Sequence, residues 1–125
     1  MEVSRAGVRR GWLVAWIVDL VLVTGVLLAP GSLIAQSPPI INAVGDKVHH
    51  LIAYATLATF AMAAFPRWPA ALTAAGAMAL HGIAMEFMQR AIAVERAFEV
   101  ADMAFDAAGV ICGIVAGALL RRMIP

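Results

Sequence analysis

Charge is what this sequence has least of. Of its 125 residues only 14% are Asp, Glu, Lys or Arg, whereas 63% are hydrophobic and the mean hydropathy is +0.90. A soluble domain of this length has a high surface-to-volume ratio and needs far more polar surface, so the composition points to a membrane before any motif is read. Cysteine is nearly absent: Cys112 stands alone, which excludes an intrachain disulfide and leaves the redox compartment open. Lysine is also down to one, Lys47, the other basic residues being Arg. No low-complexity tail and no basic patch of the nucleic-acid-binding kind is present, and GxSxG, P-loop and CxxC signatures are all missing.

What is there is four apolar segments, each near the ~20 residues a helix needs to cross a bilayer. They cover roughly residues 12–34, 47–65, 69–89 and 101–120. They are long and rich in Ala, Leu and Met, without period-two alternation, so helices are predicted and strands are not. The expected fold class is all-α, an integral membrane four-helix bundle in a single domain over residues 1–125. The first segment follows a basic start, MEVSRAGVRR, but it contains Asp19 and ends without a small-x-small site. It therefore reads as a retained anchor, not a cleaved leader. Residues 90–100, with Val94, Ala97, Phe98 and the following Ala101 on one face, read as an interfacial stretch leading into the last helix.

The charges sort by side. Arg5, Arg9, Arg10, Arg67, Arg121 and Arg122 fall on one side of the predicted membrane, and Lys47, Arg90 and Arg96 on the other. The positive-inside rule then places both termini in the cytoplasm. Asp46, Glu86, Glu95, Glu99, Asp102 and Asp106 all gather toward the outer side, with Asp19 near mid-membrane. In this topology the start of the second span, the end of the third and the start of the fourth are outer ends. The stretch GDKVHHLIAY (45–54) should therefore meet Glu86, Gln89, Asp102 and Asp106 in one outward-facing pocket.

The spacing supports that expectation. Asp46, His50 and Tyr54 are i, i+4, i+8 and share a helical face, which sets His50 rather than His49 toward the pocket. Glu86 and Gln89 are i, i+3, and Asp102 and Asp106 are one turn apart. Asp102 and Asp106 continue into a stripe of Gly109, Gly113 and Gly117, the small-xxx-small spacing of close helix packing. The same stripe would also suit a homo-oligomer. Ionisable groups at membrane depth cost about 2.5–3.5 kcal/mol each at a helix centre, so those retained should face inward and pair. The simpler roles weigh against a site residue by residue: Asp46 follows Gly45 and can act at a helix start, Asp102 suits a helix N-terminus, and His81 reads as a core histidine bonded between helices. Asp19 could meet an Arg or Thr across the bundle or mark a dimer contact.

The ordered set D-K-x-x-H at Asp46, Lys47 and His50, then Tyr54, then E-x-x-Q at Glu86 and Gln89, Arg96, and D-x-x-x-D-x-x-G-x-x-x-G at Asp102, Asp106, Gly109 and Gly113 resembles the VanZ-like family of small bacterial membrane proteins. The likeness spans residues 46 to about 113. It departs at Asp106, where the family often has Asn, and at Leu51, where it often has an aromatic. The resemblance implies a multi-pass protein of the bacterial cell (inner) membrane. The family's namesake is associated with low-level teicoplanin resistance, which brings no chemical mechanism and is not carried over to this chain.

Three functions follow as expectations. The first is binding or remodelling of a cell-envelope lipid or cell-wall precursor, with membrane lipids and a lipid headgroup as partners. Its ligand-binding set is Asp46, Lys47, His50, Tyr54, Glu86, Gln89, Arg96, Asp102 and Asp106; Lys47, Arg90 and Arg96 would meet phosphate or carboxylate, and the acids would orient them. The second is a membrane enzyme acting on a lipid-linked substrate, with His50 as general base and Asp46 or Glu86 orienting it. The third is a structural subunit whose acids form a buried ion-pair network. No cofactor is expected. Asp, Glu and His together could hold a divalent cation, although no tight metal spacing such as HExxH occurs.

Overall fold

The computed structural model describes residues 4–40, 45–92 and 99–124. Among these the chain is all-helical, without a strand, and its order is α1 (Arg5–Leu28), α2 (Gly31–Ile34), α3 (Asp46–Ala64), α4 (Trp68–Ile92) and α5 (Val100–Arg121). Glu95, Arg96 and the apolar face of Val94, Ala97 and Phe98 lie outside the described residues.

Local chemistry sets the boundaries. Ser4 starts α1, its hydroxyl accepting the Gly7 N–H at 3.1 Å. The first predicted span is cut short at Leu28, because Pro30 forces Ala29 into an extended conformation (ψ 146°) and the chain restarts as the single turn α2. Gly45 precedes α3 with φ +88°, a conformation that costs glycine little, and Asp46 follows in the first turn, where the helix dipole favours an acid. Helix α4 continues three residues beyond the predicted Gln89, and α5 begins with Asp102 in its first turn and ends with Arg121 in its last.

α1, α4 and α5 are long and apolar enough to cross a membrane, the length and composition of a membrane protein. They expose large apolar side chains along their outer faces, among them Val18, Val21, Leu80, Ile111 and Val115. α3 is more polar and packs against α1, α4 and α5. Its face of Tyr54, Leu57, Ala58, Ala61 and Met62 is fully buried. Trp12 and Trp16 of α1 meet Phe60 and Phe65 at ring-centroid distances of 5.6 and 5.5 Å. On α4, Ala71, Ala75, Met78 and Met85 complete the core.

α3 and α5 run in the same direction, and α1 and α4 run against them. At one end Lys47 reaches Glu99 and Asp102, and at the other Arg121 reaches Met62 and Phe65. The Gly109, Gly113 and Gly117 stripe of α5 lies directly on α3. A Cβ at these positions would overlap the Leu51 carbonyl, the Ala55 carbonyl and the Met62 side chain, respectively. Thr59 bridges the same seam, donating to the carbonyls of Ala55 (2.7 Å) and Gly113 (3.2 Å). The seam brings the first turns of α3 and α5 together, and there the polar side chains collect.

Candidate functional site

His50 is the centre of the polar cluster. It is 3% exposed, and its Nδ1 donates to Asp106 Oδ1 at 2.7 Å. Its Nε2 lies 3.6 Å from Asp102 Oδ2 and 3.9 Å from Asp46 Oδ2. Three carboxylates thus face one imidazole. Lys47 completes the arrangement by pairing with both Glu99 and Asp102. Asp102 and Asp106, one turn apart, are therefore met by different partners, an ammonium and an imidazole, which relieves their mutual repulsion. Glu86 is buried beside them, its Oε2 accepting the backbone N–H of Glu99 at 3.1 Å, which ties the end of α4 to the start of α5.

The other predicted site residues are placed differently. Tyr54 is fully buried, its hydroxyl 2.9 Å from His81 Nδ1. His81 Nε2 in turn lies 2.9 Å from the Thr24 hydroxyl, so one imidazole joins α1, α3 and α4. Gln89 donates to the Leu27 carbonyl at 2.6 Å, satisfying an acceptor that the break at Pro30 leaves without a helical partner. Tyr54 and Gln89 therefore hold helices together. Lys47, with two carboxylates already on it, does not present a free ammonium to a ligand. Arg96 lies outside the described residues.

The cavity beside this cluster is not where the spacing alone sets it. It has a volume of about 540 Å³ and lies between α1, α2 with the turn after it, and α3. Asp46, His49 and His50 line its polar end, and Val23, Leu27 and Ile52 its apolar walls. Asp19 and Thr56 form a second polar spot, the Thr56 hydroxyl donating to Asp19 Oδ2 at 2.9 Å. Glu86, Gln89, Asp102 and Asp106 are not part of its lining; Asp102 and Asp106 meet His50 outside it. Only Asp46 and His50 belong to both the cavity and the cluster. Spacing on the later helices does not reveal the contribution of α1, although Asp19 in an apolar run, with a Thr across the bundle as one of its expected partners, and the Pro30-Gly31 break both signal it.

Chemically, His50 has the arrangement of an oriented base or ligand: a carboxylate holds Nδ1–H, so that in the neutral ring the lone pair falls on Nε2. Among the described residues Nε2 has no hydrogen-bond partner. In comparisons with known proteins, no family model, no curated relative and no solved structure matches the chain.

Proposed function

We propose that the chain is a multi-pass cell-membrane protein of the VanZ-like kind and that it binds an envelope lipid or a lipid-linked cell-wall precursor in the cavity beside α3. The cavity carries this reading. Its apolar walls and its polar end of Asp46, His49 and His50 match an amphiphile, with the chain against α1 and the headgroup at the start of α3. From Asp46 to Thr56 is ten residues, about 15 Å of helix, which suits a headgroup and the first part of an acyl chain. In this reading α1, α3, α4 and α5 all span the membrane as one four-helix bundle. α3 needs less apolar surface than the other three because they cover it. The acids collect at one end of the molecule, while Arg9 and Arg121 meet at the other, which supports cytoplasmic termini and an outward-facing cavity mouth. Drug resistance forms no part of the proposal.

The test is lipid retention. Protein purified from membranes in mild detergent is extracted and its lipids are identified by mass spectrometry, for wild type, Leu22→Trp and Ile52→Trp. Both residues line the cavity and are more than half exposed, so the variants fill it without entering the core. Wild type should retain an amphiphile that both variants lose. Equal retention by all three would refute the reading.

A second reading rests on the His50–Asp106 pair. An imidazole held through Nδ1 by a buried carboxylate is the arrangement of a general base. A membrane enzyme acting on a lipid-linked substrate would lose far more turnover in His50→Gln than in His49→Gln, since both line the cavity but only His50 is held by a buried carboxylate. The orienting acid would be Asp106 rather than Asp46 or Glu86, because Asp46 stands 3.9 Å away and Glu86 accepts from Glu99.

A further inference from the structure

We infer that Asp46, His50 and Asp102 form a site for a divalent transition-metal cation of the Zn²⁺ type. One atom from each, His50 Nε2 and a carboxylate oxygen of Asp46 and of Asp102, lie within 4.8 Å of one another. Ligands about 2.0–2.2 Å from a shared tetrahedral ion stand roughly 3.4 Å apart. The separations of 3.6 and 3.9 Å from Nε2 to Asp102 and Asp46 need only a small contraction, and the separation of the two carboxylates, within 4.8 Å, closes with the same movement. Asp46 can supply it, since its side chain is 57% exposed at the start of α3.

Acids gathered around a histidine would not by themselves make a site. The independent observation is Nε2 itself: it is buried, has no hydrogen-bond partner among the described residues, and points between the two carboxylates. A buried nitrogen left in that state is costly unless something fills the position. The other side of the ring is prepared for a metal. Asp106 takes Nδ1–H at 2.7 Å, so in the neutral ring the lone pair lies on Nε2, as in carboxylate–histidine–metal triads, and a metal bound there displaces any Nε2 proton. Lys47 holds Asp102 by Oδ1, while Oδ2 is the oxygen that faces His50. The charge also fits, since three carboxylates face one imidazole.

The donor set selects the ion. Mg²⁺ and Ca²⁺ take oxygen ligands, whereas one imidazole with two carboxylates suits Zn²⁺, Mn²⁺ or Co²⁺. Three protein ligands leave a fourth position open, as in zinc sites that exchange a bound group. Ion and solvent reach it past exposed Asp46. This inference does not depend on what fills the cavity, and a metal on Nε2 excludes that nitrogen from acting as a base.

The experiment uses the full chain in detergent, stripped with a chelator and titrated with Zn²⁺ by calorimetry, with Co²⁺ as a spectroscopic probe and Mg²⁺ as the comparison. Wild type should bind one Zn²⁺ per chain, show Co²⁺ d–d bands and ignore Mg²⁺. Asp46→Asn and Asp106→Asn should each weaken Zn²⁺ binding by about tenfold or more, and His49→Gln should not. Asp46 is exposed, so its variant should lose only its small helix-dipole contribution in metal-free unfolding, which separates loss of the ligand from loss of the fold. No one-to-one Zn²⁺ binding by wild type, or full affinity in Asp46→Asn, or loss in His49→Gln instead, overturns the site.

Discussion

His50 Nδ1 donates to Asp106 Oδ1 at 2.7 Å, joining α3 to α5 through two buried side chains. The strength of that contact comes from the charge on the acceptor, and its necessity comes from burial. Asp106→Asn keeps an oxygen of the same shape but removes the charge, which should cost about 1–2 kcal/mol. Asp106→Ala leaves a buried N–H with no acceptor and should cost more. Unfolding in detergent should therefore rank wild type above Asn and Asn above Ala. Equal stability of all three would show that the contact does not hold the helices.

Glu86 and Asp102 are both buried acids, yet they should respond differently when neutralised. Glu86 Oε2 accepts one backbone N–H, which a Gln oxygen can also accept, and its Oε1 has no hydrogen-bond partner among the described residues; the weaker acceptor is offset because Gln removes the repulsion with Asp102. Glu86→Gln should unfold no earlier than wild type. Asp102→Asn removes one of the two carboxylates on Lys47 and should unfold earlier, by about 1–3 kcal/mol, since breaking a mostly buried pair is costly. A large loss in both would make the cluster a structural network first and move the function to partners.

How much of this was legible in the sequence depended on whether one helix or two decided it. The face shared by Asp46, His50 and Tyr54, and the glycine stripe of α5, follow from the helical period alone and could be read directly. Partner choice depends on how neighbouring helices are rotated, which spacing does not encode. Lys47 therefore takes Glu99 with Asp102, and His50 takes Asp106 instead of Asp46 or Glu86. Tyr54 and Gln89 have the chemistry of ligand-binding residues, but partners on other helices occupy them. The Pro30 break was visible as a pattern. Its consequence, that Ile34 and Ser37 join α1 and α3 in lining a cavity, is a tertiary effect.

The glycine seam gives a steric prediction. A Cβ at Gly113 would meet the Ala55 carbonyl and the Ala58 Cβ, neither of which can swing aside. Gly113→Ala should therefore destabilise by about 1–3 kcal/mol despite the better helix propensity of alanine. Gly76, on an exposed face of α4, has nothing near its missing Cβ, so Gly76→Ala should be neutral or stabilising. The pair measured by unfolding in the same detergent separates crowding from propensity. Equal effects at both positions would mean that α3 and α5 do not pack at this distance.

The opposite end of α3 depends on two arginines from other helices. α3 has no basic residue in its last turn, and its final carbonyls have no helical donors. Arg9 donates to the Ala63 carbonyl at 2.7 Å, and Arg121 donates to those of Met62 (2.6 Å), Phe65 (2.5 Å) and Pro66 (2.7 Å). The Arg121 guanidinium also lies 4.5 Å from the Trp68 ring. Both charges stand at the negative end of the α3 dipole, where cations are favoured. A forked guanidinium serves several carbonyls and a ring at once, and an ammonium cannot. Arg121→Lys should therefore lose part of the stabilisation and Arg121→Gln more, about 1–3 kcal/mol in all, with the exposed Arg122→Gln as the unaffected comparison. Because Arg9 binds the same terminus, its loss combined with that of Arg121 should cost more than the sum of the single losses, as each arginine partly covers for the other. Strict additivity in that double-mutant cycle would show that the two act on separate elements.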